Sequence, residues 1–327
     1  MTIRYSIVLP IYNEAEVLQL LFNRLDALLA VMDGESEIVL VNDGSRDSSL
    51  KQMREKAKED SRYRIYNLSR NFGHQIAITA GMDAARGEAV IVMDADLQDP
   101  PEVVLQMIAK WKEGFSVVSA KRVVREGESV FKRATAALFY RLLQRMSPVQ
   151  FEMDVGDFRL LDRAVLDAFK TMREQDRFVR GMISWLGFEQ TTVEFVRAER
   201  AAGETKYPLL KMLKLATDGI LGFSDVPLRA ALWVGSLVSV LAVFYGLFVI
   251  GGWFASGTAV DGWTSTVVTL AFLGGMNLMM TGVVGLYVGR IHNQVKNRPL
   301  YVLDAASQDV AKENELVPTE PVSGRAM

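Results

Sequence analysis

The sequence predicts an α/β domain with a mostly parallel β-sheet, followed by an amphipathic segment and a two-helix transmembrane hairpin. Two observations support this fold class. Strand-like and helical segments alternate through the first part of the 327-residue chain, as expected when helices cover both sides of a parallel sheet. Two long stretches without a charged residue follow, and each exceeds the roughly 20 residues that span a bilayer core.

Five apolar runs predict the strands of the sheet, and helical segments separate them. Their continuous Val, Ile and Leu content indicates strands that are buried on both faces. Ligands of such sheets bind at the carboxyl ends of the strands. The runs are "YSIVLP", "EIVLVND", "YRIYNL", "AVIVMD" and "SVVSA", and the helical segments span residues 15–30, 47–58, 73–85 and 101–112.

The composition excludes several classes of function. The formal net charge is -2, without the basic excess of a nucleic-acid-binding protein. The absence of cysteine excludes disulfides, thiolate zinc sites and a cysteine nucleophile. Only His74 and His292 are present, so a bound metal is expected to have oxygen ligands, which favours Mg²⁺ or Mn²⁺. The N-terminal "MTIRYSIVLPIYNE" lacks signal-peptide features, and we expect the chain to begin in the cytoplasm.

The two uncharged stretches predict transmembrane helices at residues 230–256 and 264–289. The short loop between them carries only Asp261, whereas basic residues flank both outer ends. By the positive-inside rule, this pattern predicts a multi-pass protein of the inner (plasma) membrane, with the α/β domain and both termini in the cytoplasm. The flanking basic residues are Lys211, Lys214, Arg229, Arg290, Lys296 and Arg298.

The segments around the hairpin carry further expectations. Residues 207–229 alternate apolar and charged positions at roughly helical spacing, which predicts an interfacial helix on the cytoplasmic leaflet. Residues 290–327 are predicted to form a cytoplasmic, largely disordered tail, because their C-terminal part is polar and contains proline. The spacing of Gly285 and Gly289 permits close helix contact, either within the hairpin or in a homo-oligomer.

Polar residues follow three of the predicted strands. They occur in "PIYNE" from Pro10, in "NDGS" from Asn42 and in "DADLQDPPE" from Asp94. Turn chemistry alone explains one such ending, whereas acids after three strands of one sheet favour a pocket. No G-x-G or P-loop motif is present, which favours binding of a diphosphate through a divalent metal held by carboxylates and assisted by Arg or Lys. Alternation along a strand would place Asp94 and Asp96 on one side, with Gln98 continuing the spacing.

These motifs, together with "VLVNDGSRDSS", "VGDFRLLDR" and "VRAERAAGETKYP", resemble the family 2 glycosyltransferases of the dolichol-phosphate-mannose-synthase type, and most closely their bactoprenol glucosyltransferase branch. The resemblance runs from about Tyr5 to about Arg298. It implies a GT-A-type nucleotide-sugar-binding domain at residues 1–206 and inverting transfer of one sugar to a polyprenyl phosphate of the undecaprenyl phosphate type. It further implies UDP-glucose as the donor, with Mg²⁺ or Mn²⁺ as the cofactor.

The resemblance also implies roles for individual residues. Donor-site positions hold the nucleoside, the metal and the diphosphate. The positions that match the nucleoside site are Pro10, Tyr12, Glu14 and Asp43. The Asp-x-Asp element consists of Asp94, Ala95 and Asp96, and the implied metal ligands are Asp94, Asp96 and Gln98. The resemblance places Arg122 near the donor phosphates, and Arg200 and Lys206 in a mobile basic loop over the diphosphate.

Asp157 and Arg159, in "VGDFRL", are candidates for the acceptor side of the reaction. The family pattern puts Asp157 near the reaction centre. A lipid phosphate, with a second pKa of about 6, is already largely ionised at neutral pH, so Asp157 has little need to act as a base and can instead orient the acceptor or stabilise positive charge on the sugar. Arg159 is expected to clamp the acceptor phosphate, the alternative being a plain salt bridge with Asp157. His74 is interpreted as a local hydrogen bonder and Asp99 as a helix N-cap.

Other functions remain open on the sequence alone. Mannose or another sugar, carried by GDP-mannose or another nucleotide sugar, is an alternative donor. A processive polysaccharide synthase is disfavoured because no Q-x-x-R-W motif is present. A non-catalytic membrane-anchored nucleotide-binding module would have no use for the acids and the basic loop together. If the anchor is separable from the donor site, a chain cut near Asp225 is expected to retain UDP binding.

Overall fold

The computed structural model describes residues 3–122, 155–196, 226–256, 262–304 and 307. The chain divides into two compact units, which are considered separately below. The first contains the sheet and includes the described residues 299–304 and 307, and the second contains the two long apolar helices.

The described residues of the first unit form seven strands and six helices. The strands are β1 (Tyr5–Ile11), β2 (Ser36–Asn42), β3 (Tyr63–Asn67), β4 (Ala89–Val92), β5 (Val117–Arg122), β6 (Val155–Asp162) and β7 (Gln190–Phe195). The helices are α1 (Leu18–Val31), α2 (Ser49–Glu59), α3 (His74–Ala84), α4 (Val103–Lys112), α5 (Arg163–Thr171) and α6 (Val179–Trp185).

The seven strands form one sheet in the order β3-β2-β1-β4-β6-β5-β7. All neighbouring pairs are parallel except those of β6, which runs antiparallel to both β4 and β5. This confirms the predicted mostly parallel sheet. Because β6 is reversed, its first residues lie at the edge where the other strands end.

Helices cover both faces of the sheet, as predicted. Ile7 and Leu9 on β1 share a buried cluster with apolar residues of α1 and α4. On the other face, α3 packs against β1 and β2. Its Gly81 makes this approach possible, because a Cβ atom there would lie 2.2 Å from Cγ1 of Val8. The close packing that Gly81 allows therefore brings α3, which begins at His74, near the sheet.

The predicted elements agree with the structure up to β5. The five apolar runs correspond to β1–β5 and the four helical segments to α1–α4, within a few residues at each end. Neither β6 nor β7 was identified as a strand from the sequence. Polar residues interrupt both strands, which weakens an apolar pattern.

The second unit contains helices α7 (Val226–Ser256) and α8 (Trp263–Val295), which contact each other. Within them, Leu228–Phe248 and Val268–Val295 are long and apolar enough to cross a membrane. Both helices extend beyond the predicted 230–256 and 264–289 on at least one side. Among the described residues outside the adjoining stretch of α8, a Cβ atom added at Gly285 or Gly289 would meet nothing within 4 Å, so close packing of α7 there does not require either glycine. Residues 207–225 of the predicted interfacial helix lie outside the described residues.

The described part of the tail differs from the expected disorder. Helix α8 continues to Val295, and the chain that follows reaches the edge of the sheet. There Leu303 forms an isolated antiparallel bridge with Leu68, directly after β3. Residues 305–306 and 308–327 lie outside the description, so the prediction stays open for them.

Candidate active site

The carboxyl end of β2 carries a buried acid that organises a neighbouring loop. Asp43 is 3% exposed, and its two carboxylate oxygens accept hydrogen bonds from the backbone N–H groups of Phe72 (2.7 Å) and Gly73 (3.0 Å). Burial raises the pKa of Asp43 in spite of these bonds. Gly44 adopts φ +69°, and a Cβ atom there would lie 2.5 Å from the Asn71 nitrogen. Glycine therefore allows the loop 70–73 to close over the end of β2.

The carboxyl end of β1 lies beside β2 and leads into an exposed turn. Pro10 is buried, whereas Tyr12 is 44% exposed. Asn13 has φ 56°, and its side-chain oxygen accepts a hydrogen bond from the Arg46 backbone N–H at 2.8 Å. Glu14 donates its own N–H to Ser49 Oγ at 3.0 Å. These contacts join the turns after β1 and β2 and leave the Tyr12 ring accessible.

The predicted alternation of Asp94 and Asp96 along a strand is wrong, because β4 ends at Val92. A turn places them instead. Leu97 adopts φ 61°, an uncommon conformation for a branched side chain. Asp96 Oδ1 accepts a hydrogen bond from the Gln98 N–H at 3.1 Å. The turn thus groups Asp94, Asp96 and Gln98 by local backbone geometry.

A third acid, Asp99, lies against this turn. It is 1% exposed, and its Oδ2 accepts a hydrogen bond from the Asp94 N–H at 3.3 Å. The N-cap of α4 is Glu102, so the sequence-based interpretation of Asp99 as the cap is wrong. Burial and the charge of Asp94 raise the pKa of Asp99 to about 7. Burial, together with the charges of Asp157 and Asp96, also raises the pKa of Asp94.

This acidic turn fits a divalent cation by its donor chemistry. Within the described ranges, the Oδ1 atoms of Asp94 and Asp99 are buried without a hydrogen-bond partner, although His74 Nε2 lies 3.5 Å from Asp94 Oδ1. Such burial is costly for carboxylates unless a positive charge or a proton compensates. Across the described ranges, no three or more His, Cys, Asp or Glu side chains are grouped so that they could hold a metal ion. A site here therefore relies on the two acids of the Asp-x-Asp element with a neutral oxygen such as that of Gln98.

Opposite this turn, Asp157 lies at the beginning of the reversed strand β6. It is 6% exposed, and it forms a two-point ion pair with Arg180 of α6, with distances of 2.8 and 3.1 Å. Gln75 of α3 donates to Asp157 Oδ2 at 3.1 Å. Burial raises the pKa of Asp157, but His74 and Arg180 outweigh burial and hold the pKa far below its usual range. Asp157 is therefore ionised.

His74 connects the two acidic groups. Its Nε2 lies 3.4 Å from Asp157 Oδ2 and 3.5 Å from Asp94 Oδ1, while about half of its side chain remains exposed. Burial lowers the pKa of His74, but the two carboxylates more than offset this and leave it raised. The sequence reasoning missed Gln75 and Arg180, whereas its interpretation of His74 as a local hydrogen bonder agrees with these contacts. For His74 the available signal was its position at the start of a helix beside the strand-end acids.

Two further predicted residues lie near this cluster. Arg159 is 3% exposed, donates to the Gly156 carbonyl at 2.8 Å, and has its pKa lowered to about 10 by burial. Asp157 forms its ion pair with Arg180 rather than with Arg159. Arg122, at the end of β5, is partly buried, and its positive charge lowers the pKa values of Asp94 and Asp99. Its Nε atom has no hydrogen-bond partner among the described residues.

The structure therefore brings most predicted residues to one edge of the sheet. Arg200 and Lys206 lie outside the described residues. The predicted residues at that edge are Pro10, Tyr12, Glu14, Asp43, Asp94, Ala95, Asp96, Gln98, Arg122, Asp157 and Arg159.

Comparison with known proteins gives one family and several relatives of nearly full length. The model of the family described as "Glycosyl transferase family 2" matches residues 6–169. An uncharacterized glycosyltransferase, YkcC of Bacillus subtilis, is 50% identical over 92% of this chain and 93% of its own. A prophage-derived bactoprenol glucosyl transferase of Shigella flexneri is 40% identical over 92% and 97% of the two chains. A prophage bactoprenol glucosyl transferase homolog of Escherichia coli is 39% identical over 92% and 98%.

Proposed function

We propose, from the premise that this chain belongs to glycosyl transferase family 2, that it transfers one glucose unit from UDP-glucose to the phosphate of a membrane polyprenyl phosphate of the undecaprenyl phosphate type. The observation that carries the proposal is the 40% identity to a bactoprenol glucosyl transferase over 92% of the chain, a range that includes the two apolar helices. The acids at the sheet edge supply the chemistry that such a transfer needs.

The donor nucleoside binds at the ends of β1 and β2 in this proposal. Tyr12 offers an exposed ring on which a base can stack, and Asp43 and Glu14 offer carboxylates for the ribose or base edge. Pro10 shapes the strand end beneath them. Ala95, buried between the two acids, keeps the floor of the diphosphate site small, and Arg122 faces the donor phosphates.

A Mg²⁺ or Mn²⁺ ion is proposed to bind Asp94, Asp96 and Gln98. The Asp94 carboxylate, whose Oδ1 has no hydrogen-bond partner among the described residues, supplies a hard oxygen ligand, and Asp96 and Gln98 add further oxygens. When bound, the cation neutralises negative charge on the departing diphosphate. Asp99 lies directly behind Asp94 and adds to the negative potential that attracts the cation.

The transfer needs little proton removal. An oxygen of the acceptor phosphate attacks the anomeric carbon from the face opposite the leaving group, and the bond between that carbon and the diphosphate oxygen breaks. The electron pair leaves with UDP, and the configuration inverts. Because the lipid phosphate is already ionised at neutral pH, the ionised Asp157 acts by orienting Arg180 and His74 and by stabilising positive charge on the sugar ring.

Two arginines are candidates for holding the acceptor phosphate. Arg159 is nearly inaccessible, whereas the Arg180 side chain is 37% exposed. We therefore place Arg180 in direct contact with the acceptor phosphate. Arg159 supports Arg180, because its buried positive charge compensates part of the negative charge of Asp157. Arg200 and Lys206 complete the proposal as the basic loop that closes over the diphosphate.

The proposal places the reaction at the cytoplasmic leaflet of the inner membrane. The two apolar helices anchor the chain as a multi-pass protein, and the basic flanks set both termini in the cytoplasm. Gly285 and Gly289, not needed for the contact between α7 and α8, are proposed to mediate homo-oligomer contacts.

A donor screen in proteoliposomes tests the function. The purified protein is supplied with radiolabelled UDP-glucose, UDP-galactose, UDP-N-acetylglucosamine or GDP-mannose, with and without undecaprenyl phosphate and with Mg²⁺, Mn²⁺ or chelator. We expect a labelled lipid only with UDP-glucose, undecaprenyl phosphate and a divalent ion together. Preference for another sugar would correct the donor, and turnover that ignores the lipid would overturn the acceptor.

A further inference from the structure

The chain that follows the second apolar helix attaches to the edge of the sheet. We call Pro299–Asp304 together with Ser307 the strap. Ser69 donates its N–H to the Val302 carbonyl at 2.8 Å, and Asp304 donates its N–H to the Asn67 carbonyl at 2.9 Å. Ser307 Oγ accepts the Asn67 N–H at 2.9 Å and is 5% exposed. The strap thus pairs with the backbone on both sides of Leu68, where β3 ends.

Side-chain hydrogen bonds continue from the strap toward the donor site. Asp304 Oδ2 accepts from Asn67 Nδ2 at 2.6 Å, and Asn67 Oδ1 accepts from Asn42 Nδ2, also at 2.6 Å. Asn42 Oδ1 in turn accepts the Ser45 N–H at 3.2 Å. Asn42 is 1% exposed and precedes Asp43, so the bonds lead from the strap to the turn that carries the proposed nucleoside contact.

The strap also holds the loop that binds Asp43. Residue Ser69, paired with Val302, opens the segment that leads to Phe72 and Gly73, the donors to the Asp43 carboxylate. At its other end, the strap contacts helix α3 through Tyr301, whose hydroxyl donates to Asp83 Oδ2 at 3.0 Å. The loop 69–73 and α3 are therefore both tied to the same segment.

We propose that the strap is a positioning element of the donor site, which sets the loop 69–73 and thereby the orientation of Asp43. The proposal rests on the proposed function in one respect, that Asp43 contacts the nucleoside. Only Lys296–Arg298 separate the strap from the end of α8. A segment that belongs to the catalytic unit is thus reached only through the membrane hairpin.

The test uses the full-length protein with Asp304→Ala, which removes the acceptor for both Asn67 Nδ2 and the Ser307 N–H. UDP affinity is measured by calorimetry, and KM and kcat are measured with UDP-glucose and undecaprenyl phosphate. We expect the Kd for UDP and the KM for UDP-glucose to rise about fivefold, since the two partly buried hydrogen bonds that Asp304 accepts are lost, with kcat and the KM for the lipid nearly unchanged. Asp304→Asn, which keeps one acceptor oxygen, is expected to fall between the parent and Asp304→Ala.

Two controls keep the proposal falsifiable. Asp167→Ala removes an exposed carboxylate of α5 and is expected to leave all these constants unchanged. Hydrogen exchange at the Phe72 and Gly73 amides is expected to accelerate in Asp304→Ala. If that variant folds poorly, Tyr301→Phe takes its place, and the same acceleration is expected. An unchanged Kd for UDP together with faster exchange at these amides would overturn the positioning role.

The readouts also separate this inference from the proposed function. If the parent binds UDP but transfers no glucose to the lipid, the proposed reaction fails while the strap is still judged by UDP affinity. If the parent binds no UDP, both proposals fail.

Discussion

At the residue scale, the candidate site holds buried acids whose pKa values are shifted in opposite directions. Asp157 and Asp99 are similarly inaccessible, yet the pKa of Asp157 is held low by His74 and Arg180, whereas the pKa of Asp99 rises to about 7. The difference lies in their partners, because Asp99 faces mainly other carboxylates. The carboxylates of the Asp-x-Asp turn lack a strong positive partner, which agrees with the cation proposed there, whereas Asp157 already has its counter-charge in Arg180.

Asp96→Asn tests the donor assignment. The substitution keeps the size of the side chain and an oxygen for the Gln98 N–H, but removes the charge that a metal ion requires. We expect transfer to fall by on the order of 10²–10³-fold, with the thermal midpoint of the apo protein lowered little. Asp167→Asn, an exposed acid far along the chain, is the matched control. Turnover near that of the parent would exclude Asp96 as a metal ligand.

Glu37→Gln tests a buried charge outside the candidate site. Glu37, 2% exposed, accepts hydrogen bonds from Ser6, Arg64 and Arg86. Although burial raises its pKa, Arg64 and the hydrogen bonds lower it below the usual value. A depressed pKa contributes stability above the unfolded-state pKa, near 4.5, and that stability is lost as the pH falls through the folded-state pKa.

We therefore expect Glu37→Gln to lower the free energy of unfolding by about 3 kcal/mol at pH 7, since it leaves buried arginine charge uncompensated. The difference from the parent should shrink below pH 4. Thermal unfolding of both proteins between pH 3.5 and 8 measures this difference in the free energy of unfolding. A difference that stays constant over this range would show that the charge of Glu37 contributes nothing.

At the element scale, local sequence pattern predicted the strands and helices up to β5, because their apolar runs are continuous and their lengths are typical. The positions of Asp43, Tyr12 and the Asp-x-Asp element near strand ends also followed from that pattern, but the turn that carries Asp94 and Asp96 did not. The reversed strand β6 did not, since its direction is set by pairing with β4 and β5. For the same reason, Arg180 escaped sequence reasoning, because its meeting with Asp157 depends on how α6 packs on β6.

Gly81→Ala tests how α3 positions His74. The added methyl group would overlap Val8 and approach Val41, so α3 must shift away from the sheet. We expect the free energy of unfolding to fall by about 1–3 kcal/mol, even though alanine favours helices over glycine. Transfer per folded molecule should also fall, because His74 moves from Asp94 and Asp157. Thermal unfolding and single-turnover rates measure the two effects.

Val8→Ala combined with Gly81→Ala is the compensating control, since it removes the Val8 methyl groups that the new side chain would overlap. Restoration of the transfer rate in the double variant is expected. If Gly81→Ala alone leaves both stability and transfer unchanged, then the close contact of α3 with β1 has no role in placing His74.

At the scale of the whole molecule, segments that are far apart along the chain belong to the same compact unit. The catalytic unit is completed by residues that follow both apolar helices. From the sequence alone, a chain ending at Asp225 was expected to keep UDP binding, because all predicted donor-site residues precede that cut. The strap adds hydrogen bonds at Asn67 and Ser69 that such a chain loses.

Two shortened versions separate the loss of the membrane anchor from the loss of the strap. The first ends at Asp225. The second joins Asp225 through a flexible Gly-Ser linker to Lys296 and so keeps the strap while lacking both apolar helices. We expect the second to bind UDP as the full chain does, and the first to bind about tenfold or more weakly, because several hydrogen bonds around Asn67 are lost together.

Transfer distinguishes the same two versions in a second way. Both should be slow with undecaprenyl phosphate in vesicles, because neither concentrates the lipid at the membrane surface. With a short, water-soluble prenyl phosphate, the version that keeps the strap should approach the rate of the full chain, and the other should require more UDP-glucose to do so. Circular dichroism and thermal unfolding show whether each version is folded. Equal UDP affinity of two folded versions would mean that the donor site forms without the strap, as the sequence alone predicts.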